Sequence, residues 1–428
     1  MSLVLIVVFF ILLTMGVPVF LTMGIASLAA FVHNGRIALT QVPQQVFFGI
    51  NSFPIMAIPL FILAADIMTD GKLTDILITF CDKTLGHVRG GLGHVNVVLS
   101  MIFSAISGSA VADAAGPGKI IMSMMRKAGY DPYYSGALTA SSAVMGVMIP
   151  PSIPIIIYAL SEGRTSLLGM FAAGYIPGIL VAFALIIFNA VESKRKNYVF
   201  NTVRPSILER LKSTWKALPA LLMPVMIIVC VLGGITTPTE ASALAVAYAL
   251  FVGFFITRKL SIKRLPKVFL GSAVISSAIL MIVAMGSLFA WVLTFARIPQ
   301  TVALWAGTLT TDPILTLFMI AILALITGLC IDTIPATMIL APIVSAIGAA
   351  AGINPFQVAL VMIMSIGISM ITPPVAPLLF VVSTVGKLRL EKLIIKTLPC
   401  FLVQIGVLIL IILIPPLTTW LPSLLFRR

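Results

Sequence analysis

Apolar residues run through this chain in stretches longer than any soluble helix or strand requires, and short polar interruptions divide them. Residues 1–32 contain no Lys or Arg, the first basic residue being Arg36. At about 1.5 Å per residue this run is too long for one span, and Gly16-Val17-Pro18 breaks it, so two short helices are predicted. Without a charged start it reads as uncleaved membrane helix rather than a signal peptide. The main polar interruption, residues 192–216, carries Lys194-Arg195-Lys196, Arg204, Arg210 and Lys212 and falls almost midway. The apolar pattern on its two sides is similar. Residues 93–106 are apolar, Ser107-Gly108-Ser109 interrupts them, and 110–127 resume; residues 314–326 are interrupted by Thr327-Gly328 and resume over 329–347. Each reads as a re-entrant helical hairpin. The next helix starts at Pro132 or Pro355 and meets paired prolines before its crossing is complete, so its hydrogen-bond ladder must open there.

Ala128-Gly129-Tyr130-Asp131-Pro132 leads after 17 residues to Pro150-Pro151-Ser152-Ile153-Pro154, and Ala351-Gly352-Ile353-Asn354-Pro355 leads after the same 17 to Pro373-Pro374-Val375-Ala376-Pro377. The offset is 223 throughout, Ser142 also meets Ser365, and only 27 of 428 residues are proline, so chance alignment is improbable. Likewise Gly16-Val17-Pro18 followed by Ala26-Ser27 resembles Gly234 to Pro238 followed by Ala241-Ser242. A duplicated, proline-broken apolar segment marks secondary transporters.

The positive-inside rule orients the halves. The central basic linker, residues 258–267 and residues 387–396 are assigned to the cytoplasm; Arg126-Lys127 places the first Asp-Pro loop there too, whereas the uncharged loop 348–354 sits outside. The expected architecture is therefore an all-α integral membrane protein of two inverted-topology repeats, each with a re-entrant hairpin and a broken helix. Repeat 1 covers 1–192 (hairpin about 93–128, broken helix about 132–161), a basic cytoplasmic linker covers 193–217, and repeat 2 covers 218–428 (hairpin about 314–350, broken helix about 355–386).

Composition agrees. With 60% hydrophobic residues, 9% charged and a mean hydropathy of +1.17, the apolar runs must face lipid. The formal charge of +14 sits in short loops beside spans, which excludes nucleic acid as the partner. Cys81, Cys230, Cys330 and Cys400 stand far apart in mostly apolar contexts and read as buried thiols, and His33, His87 and His94 lie near loops. Gly116-Pro117-Gly118-Lys119-Ile120 lacks the first glycine and the Ser/Thr of a phosphate loop, so no ATPase is present. The longest polar linker, about 25 residues, leaves no room for a soluble substrate-capturing domain.

Opened backbone at mid-membrane leaves carbonyl oxygens unpaired, at several kcal/mol each unless something coordinates them. Sodium, a hard cation, suits oxygen ligands. Each hairpin tip offers hydroxyls, Ser107 and Ser109 or Thr327, close to opened backbone near Gly146 to Pro150 and Ser369 to Pro373, and each is followed by an acid, Asp113 or Asp332. The exposed N-termini of the second half-helices suit a carboxylate. Plainer readings stand beside these: the prolines kink packed helices, Asp113 and Asp332 cap free amides, Asp66 is a capping or interhelical acid, and Glu240 belongs to a first helical turn.

The run from Phe103 to Ala114, the Ala128-Gly129-Tyr130-Asp131-Pro132 loop and the Ile149-Pro150-Pro151-Ser152 break resemble the large membrane subunit of tripartite ATP-independent periplasmic (TRAP) transporters, over essentially the whole chain. The resemblance implies a sodium-coupled importer with an elevator-type transport domain, not an enzyme, in the bacterial inner membrane. Its partners would be a small four-helix membrane subunit, a periplasmic substrate-binding protein and the surrounding membrane lipids. It further implies Na+ at Ser107, Gly108, Ser109, Asp113, Gly146 and Pro150 in repeat 1 and at Thr327, Gly328, Asp332, Thr372 and Pro373 in repeat 2. The substrate would lie at Ser109, Asp113, Pro151, Thr372 and Pro374. Family substrates are organic acids, including C4-dicarboxylates and sialic acids. An ion-coupled organic-anion symporter needing no binding protein, a membrane-embedded enzyme and a passive channel are the alternatives.

Overall fold

The computed structural model describes residues 1–35, 38–198 and 205–426. Arg36 and Arg204, used above to read charge, lie outside the described residues. All regular elements among the described residues are helices, and eight are long and apolar enough to cross a membrane. The chain is an all-α integral membrane protein.

Its start divides as predicted into Ser2–Thr14 and Val19–Asn34, with Gly16 at φ 77° and Pro18 capping the second helix. The second half opens the same way: Ile207–Leu232 and Pro238–Phe251 are joined through Gly234 at φ 67°. Further along, Leu73–Leu85 and Ile298–Leu309 both begin after a basic residue in the left-handed region, Lys72 at φ 62° and Arg297 at φ 55°. Glu240 and Thr237 form a reciprocal capping box, as the first-turn reading required.

At the offset of 223 the hairpins and broken helices superimpose in sequence without a gap. Gly91–Ser107 matches Pro313–Cys330, residues 110–127 match Thr333–Ala350, and Pro132–Ala143 with the 3₁₀ turn Val144–Val147 matches Pro355–Ser369. Both proline pairs, Pro150-Pro151 and Pro373-Pro374, contain a cis peptide bond. Beyond them Ile153–Glu162 and Pro377–Gly386 complete the crossings, and Leu167–Lys196 and Leu390–Leu413 begin 223 residues apart. Asp131 and Asn354 cap the broken helices identically, each side chain accepting from the amide two residues on at 2.9 Å.

The halves also differ. Where the first has Gln41–Ile50, a break and then Ala57–Asp70, the second has one continuous helix, Leu265–Phe295. The break lies at Asn51-Ser52, Ser52 being extended, and the chain resumes in a 3₁₀ turn, Phe53–Met56, with Pro54 in its first turn, where its missing N–H is not needed; Leu265–Phe295 has proline only in its first turn. The polar stretch 192–216 is mostly helix rather than loop, since Leu167–Lys196 runs into it and Ile207–Leu232 emerges from it after the Ser206 cap.

Scaffold helices from the two halves interlock. Pro238–Phe251 packs on Ala57–Asp70, Ile207–Leu232 on Leu73–Leu85, and Leu265–Phe295 across Val19–Asn34 and Gln41–Ile50. Asp66 joins Ala57–Asp70 to Leu265–Phe295 through the Ser272 hydroxyl at 2.5 Å, an interhelical acid as expected. The hairpins pack on both broken helices: Gly91–Ser107 on Pro132–Ala143 and Ala110–Ala115 on Pro377–Gly386 of the other half, Pro313–Cys330 on Pro355–Ser369 and Thr333–Ala350 on both Pro355–Ser369 and Ile153–Glu162. Pro355–Ser369 is buried on nearly every side, so the broken helices form the centre, and apolar surface left on Leu265–Phe295 and Ile207–Leu232 faces outward as a lipid-solvated protein requires.

Candidate functional site

In the first hairpin the helix Gly91–Ser107 ends at Gly108, φ 60°. A Cβ there would collide with the Pro151 carbonyl, and the Gly108 carbonyl accepts from the Ile153 amide at 3.3 Å. Gly146, in the opened segment, is equally constrained: a Cβ would stand 2.8 Å from the Ala110 nitrogen and 3.0 Å from the Ser109 carbonyl carbon. Glycine at both places lets the tip seat directly on the broken helix. Ser107, Gly108, Ser109, Gly146 and Pro151 are thereby brought together. The Ser107 hydroxyl accepts from the Ser109 amide at 3.3 Å, and the Ser109 hydroxyl caps the second arm through the Ala112 amide at 3.4 Å. Ser152 restarts the helix beyond the break, donating to the Val147 carbonyl at 2.6 Å and capping the Ile155 amide at 3.4 Å. The Pro150 carbonyl is reached by the Tyr175 hydroxyl at 3.4 Å.

Asp113 lies one turn further into the second arm, in a polar layer that sequence reasoning missed. It is 1% exposed, and neither carboxylate oxygen has a hydrogen-bond partner among the described residues. Ser100 stands beside it. Asn96, Ser100 and Ser104 share one face of Gly91–Ser107 at four-residue spacing. Asn96 donates to the Thr139 hydroxyl at 2.7 Å, and the Ser100 and Ser142 hydroxyls meet at 2.9 Å. The Asn96 carbonyl oxygen and the Ser104 hydroxyl have no partner among the described residues. The available signal was that spacing, three small polar residues four apart in an apolar run. The second arm is also split at Gly116-Pro117 into Ala110–Ala115 and Pro117–Lys127, so the residues dismissed as a phosphate loop are a helix break.

The second tip departs from expectation. Thr327-Gly328 does not interrupt its helix, which continues to Cys330; the turn is Ile331-Asp332. The Thr327 hydroxyl donates to the Leu323 carbonyl at 2.8 Å, a bond made within the helix, and Gly328 is accommodated because Ser369 packs against it. The restart comes instead at Thr333 with Pro335 in the first turn, where its missing N–H is not needed. Asp332 therefore corresponds to Ser109, both being helix N-caps 223 residues apart, while the counterpart of Asp113 is Ala336. Asp332, Pro373 and Pro374 are exposed. Thr372 donates to the Ile368 carbonyl at 2.9 Å. Cys330 is exposed beside this tip, and Cys230 is half-buried, so only Cys81 and Cys400 are the buried thiols anticipated. His94 lies near a loop as expected, in the first turn of Gly91–Ser107, and is buried 3.1 Å from Asn189.

The two breaks meet. A Cβ on Gly367 would stand 2.7 Å from Val147 and 3.1 Å from Val144, and Ala110–Ala115 packs on Pro377–Gly386. Each tip thus lies at the crossing of both broken helices. The donors gathered there are hydroxyls, opened carbonyls and isolated carboxylates, and no group of three or more His, Cys, Asp or Glu occurs among the described residues. These are oxygen ligands, the type hard cations prefer.

A family model described as the DctM component of tripartite ATP-independent periplasmic transporters matches residues 6–417. The sialic acid TRAP transporter large permease protein SiaM of Vibrio cholerae is 33% identical, over 96% of this chain and 96% of that one. The C4-dicarboxylate TRAP transporter large permease protein DctM of Pseudomonas aeruginosa is 35% identical, over 87% of this chain and 86% of that one. Among solved structures, the YdaH transporter of Alcanivorax borkumensis superimposes with a TM-score of 0.66 at 15% identity, over 88% of each chain, which bears on the fold alone.

Proposed function

The chain belongs to the DctM component family of tripartite ATP-independent periplasmic transporters, and from that premise we propose that it is the sodium-driven translocating subunit for an organic acid. It is a transporter permease and not an enzyme. In this reading it works in the bacterial inner membrane, receives its cargo from a periplasmic binding protein and is completed by a small membrane subunit. Relatives named for sialic acid and for C4-dicarboxylate support an anionic, carboxylate-bearing cargo.

The observation that carries sodium coupling is the seating of the first tip on an opened helix. Ser107, Gly108 and Ser109 lie against Gly146 and Pro151, with Asp113 buried and unpartnered one turn away. Across the crossing stand Gly328, Asp332, Thr372 and the Pro373-Pro374 break. A sodium ion at each break would coordinate carbonyls the helix has given up, and Asp113 would balance positive charge held in hydrocarbon. The amides that open Ile153–Glu162 and Pro377–Gly386 are taken by Gly108, Ser152 and Met370, so only the positive ends of the two helix dipoles would favour the carboxylate of the cargo, beside Ser109, Pro151, Thr372 and Pro374. Hairpins and broken helices move as one body against the interlocked scaffold, an elevator, because the hairpins pack on the broken helices of both halves.

Uptake into proteoliposomes carrying the small subunit, with cargo-loaded binding protein outside, tests this. Uptake should require sodium and carry net charge. Uptake that persists with potassium replacing sodium and follows a pH gradient would overturn the coupling, and robust uptake of free cargo by this chain alone would establish the symporter that needs no binding protein.

A further inference from the structure

Away from the tips, a cavity of about 890 Å³ opens between Leu73–Leu85, Ile207–Leu232 and the end of the helix that finishes at Ile256. Its lining is apolar at Leu73, Ile76, Pro219 and Ala220, and its exposed residues include Lys72, Asp75, Lys216, Lys259, Trp215 and Ile256. Lys216 and Lys259 come from the two basic stretches that the charge pattern assigned to one face, and the fold does bring them to one cavity. The carboxylates of this region are already engaged: Asp75 with Lys72 at 3.8 Å, Glu209 with Lys83 at 3.3 Å, and Asp70 with Arg264 at 3.9 Å. Among the described residues no carboxylate lies within 4.0 Å of Lys216 or Lys259.

We propose that this cavity binds an anionic phospholipid, its phosphate held by Lys216 and Lys259 and its glycerol and upper acyl chains lying on the apolar lining. Charge selects the class, since an unbalanced pair of ammonium groups at the membrane boundary attracts anionic headgroups. The source is lipid rather than free phosphate for two reasons. The cavity is far larger than a phosphate needs, and the helix that walls it presents an outward apolar stripe, Leu211, Trp215, Leu218 and Leu222, that leads from the cavity into the bilayer. Trp215, 76% exposed, stands where an indole anchors at the headgroup level. The cavity also lies on the seam where Leu73–Leu85 of the first half meets Ile207–Leu232 of the second, so its occupant would brace the scaffold and not the moving hairpins.

The test is retention of phosphatidylglycerol by the purified full-length chain, read by native mass spectrometry, with phosphatidylcholine and inorganic phosphate as comparison ligands. Phosphatidylglycerol should be retained preferentially, and K216E and K259E, each a change of two charges at about 1 kcal/mol apiece, should each lower retention roughly thirtyfold, while K216R retains it. Should a double reversal fail to fold, either single variant carries the same test. Retention unchanged in both, or phosphatidylcholine held equally well, would overturn the proposal. Displacement of the lipid by millimolar inorganic phosphate would make this a soluble-phosphate site and overturn it equally.

Discussion

The two hairpins descend from one pattern but are finished differently. In the first, the tip is closed: Gly108 and Gly146 bring backbone against backbone, Gly146, Pro150 and Pro151 are buried, and Asp113 sits in a polar layer with Asn96, Ser100, Thr139 and Ser142. In the second, the residues at the same offset are Met319, Leu323, Ala336 and Met362, with only Ser365 kept, and Asp332, Pro373 and Pro374 are exposed. Duplication preserves what the backbone needs, namely the caps at Asp131 and Asn354 and the paired prolines. The side chains that carry charge are free to diverge. The two tips are therefore not two copies of one site. The first keeps a carboxylate away from water, where it costs several kcal/mol unless compensated, while the second presents its acid at the open edge.

The comparison is broken most completely by sidedness, which is all or none. If the halves are inverted, a cysteine replacing Lys127 is labelled from the cytoplasm and one replacing Gly352 from the periplasm, in a background lacking Cys81, Cys230, Cys330 and Cys400. Both positions are exposed, so accessibility does not bias the result. Labelling from one side alone would mean that the halves are parallel and that the tips do not open oppositely.

The next effect comes from exchanging tip residues between halves. Gly146→Ser introduces the residue found at position 369 and forces a side chain between the broken helix and Ala110. Overpacking of about 1–3 kcal/mol should lower uptake on the order of ten- to a hundredfold while the protein still folds. The reverse change, Ser369→Gly, costs only about 1 kcal/mol of helix propensity and should lower the melting temperature slightly with uptake nearly intact. Equal loss in both directions would show that the tips are seated alike.

Asp113 and Asp332 divide next. Asp113→Asn keeps shape and removes the buried charge, so the sodium concentration for half-maximal uptake should rise at least about tenfold, some 1.4 kcal/mol. Asp332→Asn, at an exposed cap, should shift it by about threefold or less. A purely structural Asp113 would give the opposite signature: Asn would stabilise the chain, by relieving an unpaired buried charge, and leave sodium dependence unmoved.

Much of this was legible in the sequence because it is written in backbone chemistry. Pro18, Pro132, Pro355 and the two proline pairs fix where helices start and open, whatever surrounds them. The second tip was misplaced because Thr327-Gly328 looks like a break. Glycine weakens a helix by only about 1 kcal/mol, and packing against Ser369 overrides it, whereas Pro335 acts through a donor it lacks. The polar layer around Asp113 was missed for another reason: its members come from separate segments, and only the packing of Gly91–Ser107 on Pro132–Ala143 joins Asn96 to Thr139. The split at Gly116-Pro117 was in plain view, but those residues were weighed for phosphate chemistry alone.

The smallest contrast lies between the tip hydroxyls. Ser107 is 2% exposed and turned back only on Ser109, so its oxygen is positioned in the turn itself, where a bound ion would find it. Thr327 is three residues before Cys330, and its proton is committed to the Leu323 carbonyl at 2.8 Å, which orients its lone pairs but leaves the helix to dictate where they point. Ser107→Ala should raise the half-maximal sodium concentration several-fold, the worth of one oxygen ligand at about 1 kcal/mol. Thr327→Ala should change it by less than about twofold. Sodium titrations of uptake for both variants under identical loading decide the matter. A larger shift for Thr327 would place an ion at the residues before Cys330 and return the second tip to the position its sequence suggests. No shift in either would remove the tip hydroxyls from coordination and leave the opened carbonyls and Asp113 to hold the cation.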